Sequence, residues 1–313
     1  MRASLQVIRS GLQTTVQDLG RWGHQAYGVP AAGPMDPFAH RRANALVGNG
    51  RDAAALEIAF IGPELEFDDE RIVAVCGAVF ELRVGGASAP HGRPFAVPAG
   101  ERLRFGTRLG GARGYLAVDG GFDVPVVMGS RSTLLSAALG GHHGRALAAG
   151  DRLALGIRRN ARAHRIHRPP VVTPESGAGR VRVLPGPHDD RFAPDALDVL
   201  QSQPYQIGTD SNRMGYRLQG ASLTHSRGAD LISESTTWGG LQVPASGQPI
   251  LLMADRQTTG GYPIVATVIT ADLPVAAQAA PGDSLRFDVC SRAAALTALL
   301  AAEREILALE NGE

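Results

Sequence analysis

The chain has no lysine: all 31 basic residues among its 313 are arginine. A Schiff-base mechanism, a phosphate-loop lysine and a biotinylated lysine are therefore excluded on this chain. Any nucleotide or carboxyl carrier it uses must be held by other groups or sit on another polypeptide. Cysteine is scarce as well. Cys76 and Cys290 each stand alone in an apolar, strand-like run. That excludes a Cys-x-x-Cys zinc site and marks both as small core residues. No apolar run approaches the roughly 20 residues that span a bilayer. The first residues, Met1 to Arg9, lack the apolar stretch of a secretion signal, so the expected location is cytoplasmic, with no membrane partner. An excess of one charge is also lacking: the formal net charge is +1, which gives no electrostatic footing for nucleic acid.

What is present is enough for a sizeable core. Hydrophobic residues make up 44% of the chain and charged residues 19%, and the length suits two ordinary domains. The 39 glycines and 20 prolines punctuate short periodic segments, the pattern of many short strands joined by turns. Strand-like runs include Leu5–Ile8, Arg71–Cys76, Val79–Val84, Leu103–Phe105, Tyr115–Val118, Leu153–Ile157, Val181–Leu184, Ile250–Met253, Ile264–Ile269 and Leu285–Val289. They are too short and close for βαβ units, so a mainly β barrel or sandwich pair is expected. Asp36-Pro37 pairs a capping residue with proline at the first helical turn, and Gly48 supplies a stop. A second helix is expected from Ala293 to Leu309.

A weak repeat runs through the chain. Pro98-Ala99-Gly100-Glu101, Ala148-Ala149-Gly150-Asp151 and Ala280-Pro281-Gly282-Asp283 each open an alternating strand. The repeat favours two related barrels, at 1–160 and 181–290, with a linker at 161–180 and a terminal helix at 291–313. Five arginines between Arg158 and Arg168, followed by Pro169-Pro170, read as solvated linker.

Three groups of residues could carry chemistry. Ala254-Asp255-Arg256-Gln257-Thr258-Thr259-Gly260-Gly261-Tyr262-Pro263 follows the apolar run Pro249 to Met253, so a rigid strand delivers polar side chains to a Gly-Gly turn. That suits a small polar ligand, although Thr-Thr-Gly-Gly is also ordinary turn chemistry. A counterpart, Gln13-Thr14-Thr15 with Asp18 and Arg21, lies near the start; Asp18 and Arg21 could equally pair on the surface. The loop Gly129-Ser130-Arg131-Ser132-Thr133 could form an anion nest. His142-His143 is a poor metal site, because neighbouring side chains diverge and no carboxylate lies close in sequence, so no metal is expected. Thr209 to Leu218 offers Arg213 and Arg217, which could grip an anion or merely close a loop with surface ion pairs.

Taken in order, several motifs resemble one family: Gly11–Arg21, Gly28-Val29-Pro30, Gly33-Pro34-Met35-Asp36, Leu46-Val47-Gly48-Asn49, Gly129–Thr133, Arg213–Leu218, Gln242-Val243-Pro244 and Asp255–Pro263. This is the allophanate hydrolase subunit 2 family, also called the biotin-dependent carboxyltransferase family, which includes the C subunits of 5-oxoprolinases. The resemblance covers residues 5–290. It implies two cyclophilin-like β-barrels with few short helices and a C-terminal helix. It also implies partners similar to the B and A subunits of 5-oxoprolinase, and ATP-dependent opening of 5-oxoproline with phosphorylation of the lactam. ATP could be shared with, or held by, a partner. In a second branch, carboxyl transfer to urea or a similar small amide, biotin would sit on another chain. A third role is non-catalytic binding of a B-like kinase-inhibitor protein. In the catalytic branches a small amide must be held while charge develops on its oxygen. Asp255, Gln257 and Thr258 are the expected catalytic groups, with Asp255 as base or N–H acceptor. Gln13, Thr14, Arg131, Arg213, Arg217, Gln242, Thr259, Gly260, Gly261 and Tyr262 are the expected substrate-binding set, the arginines meeting a carboxylate or phosphoryl group.

Overall fold

The computed structural model describes residues 3–158 and 178–312. The chain divides into two units, one formed by Met1–Trp22, Ala32–Pro174 and Arg304–Glu313, the other by Gly23–Ala31 and Glu175–Glu303. The expected linker falls largely outside the described residues. Its last three positions, Ala178 to Arg180, already belong to the strand Ala178–Pro185. Gly23–Ala31 groups with the second unit, which a linear cut at residue 160 does not express.

The first unit is a nine-stranded sheet built on two long antiparallel strands, Arg71–Val84 and Arg102–Val118. In sequence each reads as two short strands, because glycines interrupt the apolar pattern. Those glycines sit where the pairing slips, between Gly77 and Val79 and again as far as Leu82, and such bulges let a long strand bend. At Gly114 any side chain would press on the Phe80 ring. One face buries Leu5, Val7, Leu56, Phe67, Phe80 and Phe105. The other is covered by the helix Pro37–Leu46, whose Ala39, Ala43 and Leu46 pack with Cys76 and Tyr115. The Asp36 side chain caps that helix through the Ala39 amide (2.9 Å). Burial pushes the Cys76 thiol up to about 12, which fits a core residue and not a nucleophile.

The second unit closes completely. Seven strands form a barrel in the order Ala178–Pro185, Ile264–Val268, Gly240–Gln242, Ile250–Leu252, Gly215–Gln219, Tyr205–Ile207 and Ser284–Val289. The closing pair, first strand against last, is parallel; the others are antiparallel. Tyr205, Tyr216, Leu251, Val265 and Phe287 fill its core. The two units thus share a mainly β character, but only the second is a closed barrel.

The three Gly-Asp/Glu repeats are one turn used three times. Glu101, Asp151 and Asp283 donate their amides to Pro98, Ala148 and Ala280 at 3.0–3.1 Å. The intervening Gly100, Gly150 and Gly282 have φ of 76°, 92° and 94°, the left-handed value a type II turn requires. The terminal helix runs Arg292–Asn311. Its last turns bury Ile306 and Leu309, and Glu310 and Glu305 pair with Arg41 and Arg42 of the first helix.

Candidate functional site

The strand Ile250–Leu252 ends in the turn that carries Asp255. Arg213 clasps that carboxylate with two parallel bonds, Nε to Oδ2 at 2.9 Å and a terminal nitrogen to Oδ1 at 2.8 Å. Both side chains are buried. The Asp255 amide also donates to the Arg213 carbonyl (2.8 Å) and the Met253 amide to that of Met214 (3.0 Å). This is a buried fork that ties two loops together. The expected base and the expected substrate-binding arginine are thus partners of one another in the described residues. Arg217 lies on the strand Gly215–Gln219, exposed between buried Tyr216 and Leu218, so strand alternation turns its side chain outward from the barrel core.

Past Asp255 the chain forms one edge of a two-stranded ribbon, Thr259–Gly260 against Glu234–Ser235. Thr236 fastens the ribbon, its amide to the Thr258 carbonyl (3.0 Å) and its hydroxyl to the Gln257 carbonyl. The Leu231 amide to the Gly261 carbonyl (2.8 Å) closes the other end. A methyl group on Gly260 would collide with two carboxamide nitrogens, those of Gln242 and Gln257. Two amide donors therefore converge over this glycine. Gln242 is buried and reaches toward the Tyr262 carbonyl at 3.5 Å, whereas Gln257 and Thr259 are exposed and Tyr262 is 40% exposed.

Glu234 and Gly260 are direct cross-strand partners. Such partners present side chains to the same face, so the Glu234 carboxylate shares a face with the two amides. His188 joins it. The Ile264 amide donates to His188 Nδ1 (3.1 Å), leaving the neutral ring's proton on Nε2, which lies 3.3 Å from Glu234 Oε2. Sequence reasoning missed both residues, which are distant in the chain and follow no motif spacing. The available signal was the Pro185-Gly186-Pro187-His188 turn leaving a strand. Arg256 has no role expected from sequence, although it lies inside the Asp255–Tyr262 segment. Its Nε is buried with no hydrogen-bond partner, and burial pulls the guanidinium below its ordinary value. The Trp238 indole N–H is likewise buried and unpartnered. Backbone bonds from Gly239 to Leu252 and from Thr236 to Thr258 run these two loops side by side.

The other expected residues lie in the first unit. Thr14 is buried, and its hydroxyl donates to the Ser10 carbonyl (2.6 Å). Gln13 lies in a strand opposite Ala59. Arg131 donates Nε to the Val124 carbonyl (3.1 Å) and lines a cavity of about 530 Å³ with Asn49, Asp52, Arg71 and Asp123. The serine-rich loop does form an anion nest, but around this chain's own Asp18. That carboxylate accepts from the hydroxyls of Ser130 and Ser132 and from the amides of Arg131 and Gly20. Burial works to raise its pKa; those hydrogen bonds outweigh it and hold the carboxyl below the usual range. Arg21 donates to the Ser132 carbonyl (2.5 Å) and is buried with Asp18 instead of lying on the surface. His142 lies 3.6 Å from Asp151, nine positions on, so a carboxylate is close after all. Among the described residues no group of three His, Cys, Asp or Glu side chains could hold a metal ion, and no helix is long and apolar enough to cross a membrane.

The class of the protein follows from the family to which this barrel-bearing chain is similar, the carboxyltransferase domains. Residues 27–289 match the model of the carboxyltransferase domain, subdomains A and B, and the chain belongs to that family. It is 42% identical over 295 residues to the 5-oxoprolinase C subunit of Escherichia coli, covering 94% of each chain. It is 32% identical over 332 residues to the urea amidolyase of Lachancea kluyveri, covering 99% of this chain and 18% of that protein. The crystal structure of K. lactis urea amidolyase superposes with a TM-score of 0.89 at 29% identity, covering all of this chain and 20% of that one. The chain thus spans nearly all of a 5-oxoprolinase C subunit and about a fifth of a urea amidolyase.

Proposed function

We propose that this chain is the C-type subunit of an ATP-dependent 5-oxoprolinase. With B-like and A-like subunits it opens 5-oxoproline to glutamate, the lactam being activated by phosphoryl transfer to its oxygen. The 42% identity to a 5-oxoprolinase C subunit, against 32% to a urea amidolyase, supports this most strongly. The site's chemistry agrees. Gln242 and Gln257 supply N–H donors for a carbonyl oxygen that gains charge as it is activated. Arg256, whose buried Nε has no hydrogen-bond partner among the described residues, suits the substrate carboxylate or the transferred phosphoryl group. With no lysine on the chain, the nucleotide's phosphates are met by guanidinium groups, by backbone amides or hydroxyls, or by a partner. The complex resides in the cytoplasm.

The test is reconstitution with B-like and A-like subunits. The expected result is ATP hydrolysis that requires 5-oxoproline and yields glutamate. The structural match to urea amidolyase favours a second reading, carboxyl transfer from carboxybiotin on another chain to urea. Biotin-dependent urea carboxylation without lactam turnover supports that reading. Tight binding of the B-like protein with neither reaction points to a regulatory role.

A further inference from the structure

On the geometry of the ribbon we propose that Glu234 is the base that takes the amide N–H proton, and that His188 is its positioning residue. The assignment rests on the proposed function in one respect, that the substrate is a small amide.

Activating an amide through its oxygen requires its N–H proton to leave. A group that orders the carbonyl oxygen must therefore stand beside a group that accepts from nitrogen. The ribbon holds both. Gln242 and Gln257 converge over Gly260, and Glu234 shares their face as the cross-strand partner of that glycine. Among the described residues, the other acid in the segment, Asp255, is buried in its fork with Arg213. Glu234 is 59% exposed, so substrate can reach it.

His188 determines which oxygen does the work. Its Nδ1 accepts from the Ile264 amide, so the ring cannot itself accept a proton without breaking that bond. Its Nε2–H is directed at Glu234 Oε2, leaving Oε1 for the substrate. Ile264 is held in turn by its pairing with Gln242, so the acid-orienting histidine and the buried amide donor hang on neighbouring strands.

The step balances as follows. The lactam oxygen bonds to the γ-phosphorus of a nucleoside triphosphate, and the bond from that phosphorus to the bridging oxygen breaks with loss of the diphosphate. The N–H proton passes to Glu234 Oε1, and the electron pair left on nitrogen completes a C=N bond. Once the oxygen carries the electrophile the N–H is strongly acidic, so a carboxylate suffices as base. Carboxyl transfer to urea likewise removes an N–H proton, so the same base serves it.

The experiment compares wild type, Glu234→Gln, His188→Ala and His188→Gln in the reconstituted complex, on 5-oxoproline with ATP and on urea with carboxybiotin. Assembly with the partners and Tm serve as controls. Glu234→Gln should lower kcat by about a hundredfold or more, with KM little changed, and abolish the decline in rate toward acid pH. His188→Ala should cost about tenfold and alter that acid limb, and His188→Gln, which restores a donor at the Nε2 position, should recover part of the loss. If the wild type acts only on urea, the 5-oxoprolinase reading fails while the same Glu234 loss on urea sustains this one. Glu234→Gln within about threefold of wild type on whichever amide is turned over would overturn the proposal. A wild-type complex that assembles and binds the lactam yet turns over neither amide would overturn both.

Discussion

The chain uses the triplet Gln-Thr-Thr twice, with opposite outcomes. Gln13-Thr14-Thr15 lies in the strand Gln13–Gln17, where both threonines are buried and the following Gln17 donates to Thr15 and to the Thr133 carbonyl. Gln257-Thr258-Thr259 lies in a turn leading to a two-stranded ribbon, with Gln257 and Thr259 exposed. The same contrast holds for the acids beside them. Asp18 is enclosed by four donors from its own chain, whereas Glu234, among the described residues, meets His188 and stays 59% exposed. Polar composition alone does not mark a ligand site. What separates the two acids is whether the chain already satisfies them, since even the first region keeps buried atoms without a hydrogen-bond partner among the described residues, Gln17 Oε1 and His40 Nδ1.

Removing an acid from each region tests that contrast most severely. Asp18→Ala strands two buried hydroxyls and two amides beside a buried guanidinium, and should cost about 3–5 kcal/mol, read as a large fall in Tm of the isolated chain. Glu234→Ala should leave Tm nearly unchanged, because it frees only an exposed carboxylate and a histidine that keeps its Ile264 bond. Comparable losses at both positions would remove the distinction between a closed and an open cluster. The Asp255–Arg213 fork sorts with the closed class, so Arg213→Ala should also destabilise by about 3 kcal/mol or more.

A second effect is confined to the closed region and depends on pH. His40 is fully buried, and desolvation pulls it down to about 4 despite bonding to the Gln17 carbonyl and the nearby Asp18 and Glu57. Its folded value lies below its unfolded one, 6.5. As pH falls from about 6.5 to about 4 the unfolded chain therefore binds a proton that the folded chain refuses, and stability declines by about 3 kcal/mol. Asp18, whose folded carboxyl is also depressed, has the same sign but a lower window: its contribution persists above 3.8 and is lost as pH falls further through its folded value. Denaturant titrations at pH 7 and pH 4.5 should show the loss in wild type and little of it in His40→Gln, which keeps a donor toward Gln17. A wild-type curve flat over that range would contradict a buried neutral histidine.

How much of this was legible beforehand follows from which forces act locally. The Asp36 cap, the repeated Gly-Asp turns and the terminal helix were readable, because capping and left-handed glycines act within four residues. The long strands were not. Gly77 and Gly114 look like breaks in sequence, and only the Phe80 ring and the register slips explain why they sit within strands. At the site, the segment Asp255 to Tyr262 was legible as polar and turn-forming, and Gly260 proved to be where two amides converge. The contacts made there were not, since Asp255 is clasped by a residue 42 positions earlier and Glu234 meets one 46 positions earlier. Pairings across such distances carry no spacing signal. Arg256 was hidden for a different reason: a buried Nε without a hydrogen-bond partner among the described residues is defined by what fails to surround it.

The smallest predicted effects fall within the repeated triplet itself. Thr14→Val removes a buried hydroxyl that donates to the Ser10 carbonyl at 2.6 Å, leaving that carbonyl without its donor. The expected cost is about 1 kcal/mol, with no change in KM for any substrate. Thr259→Val alters an exposed position on a ribbon strand, where a β-branched side chain is well tolerated. Its stability change should stay within about 0.5 kcal/mol. The two substitutions are chemically identical and differ only in what surrounds the hydroxyl. If Thr259→Val instead destabilised the chain as much as Thr14→Val, its hydroxyl would be a structural group, and the open character of the ribbon would have to be abandoned at that residue.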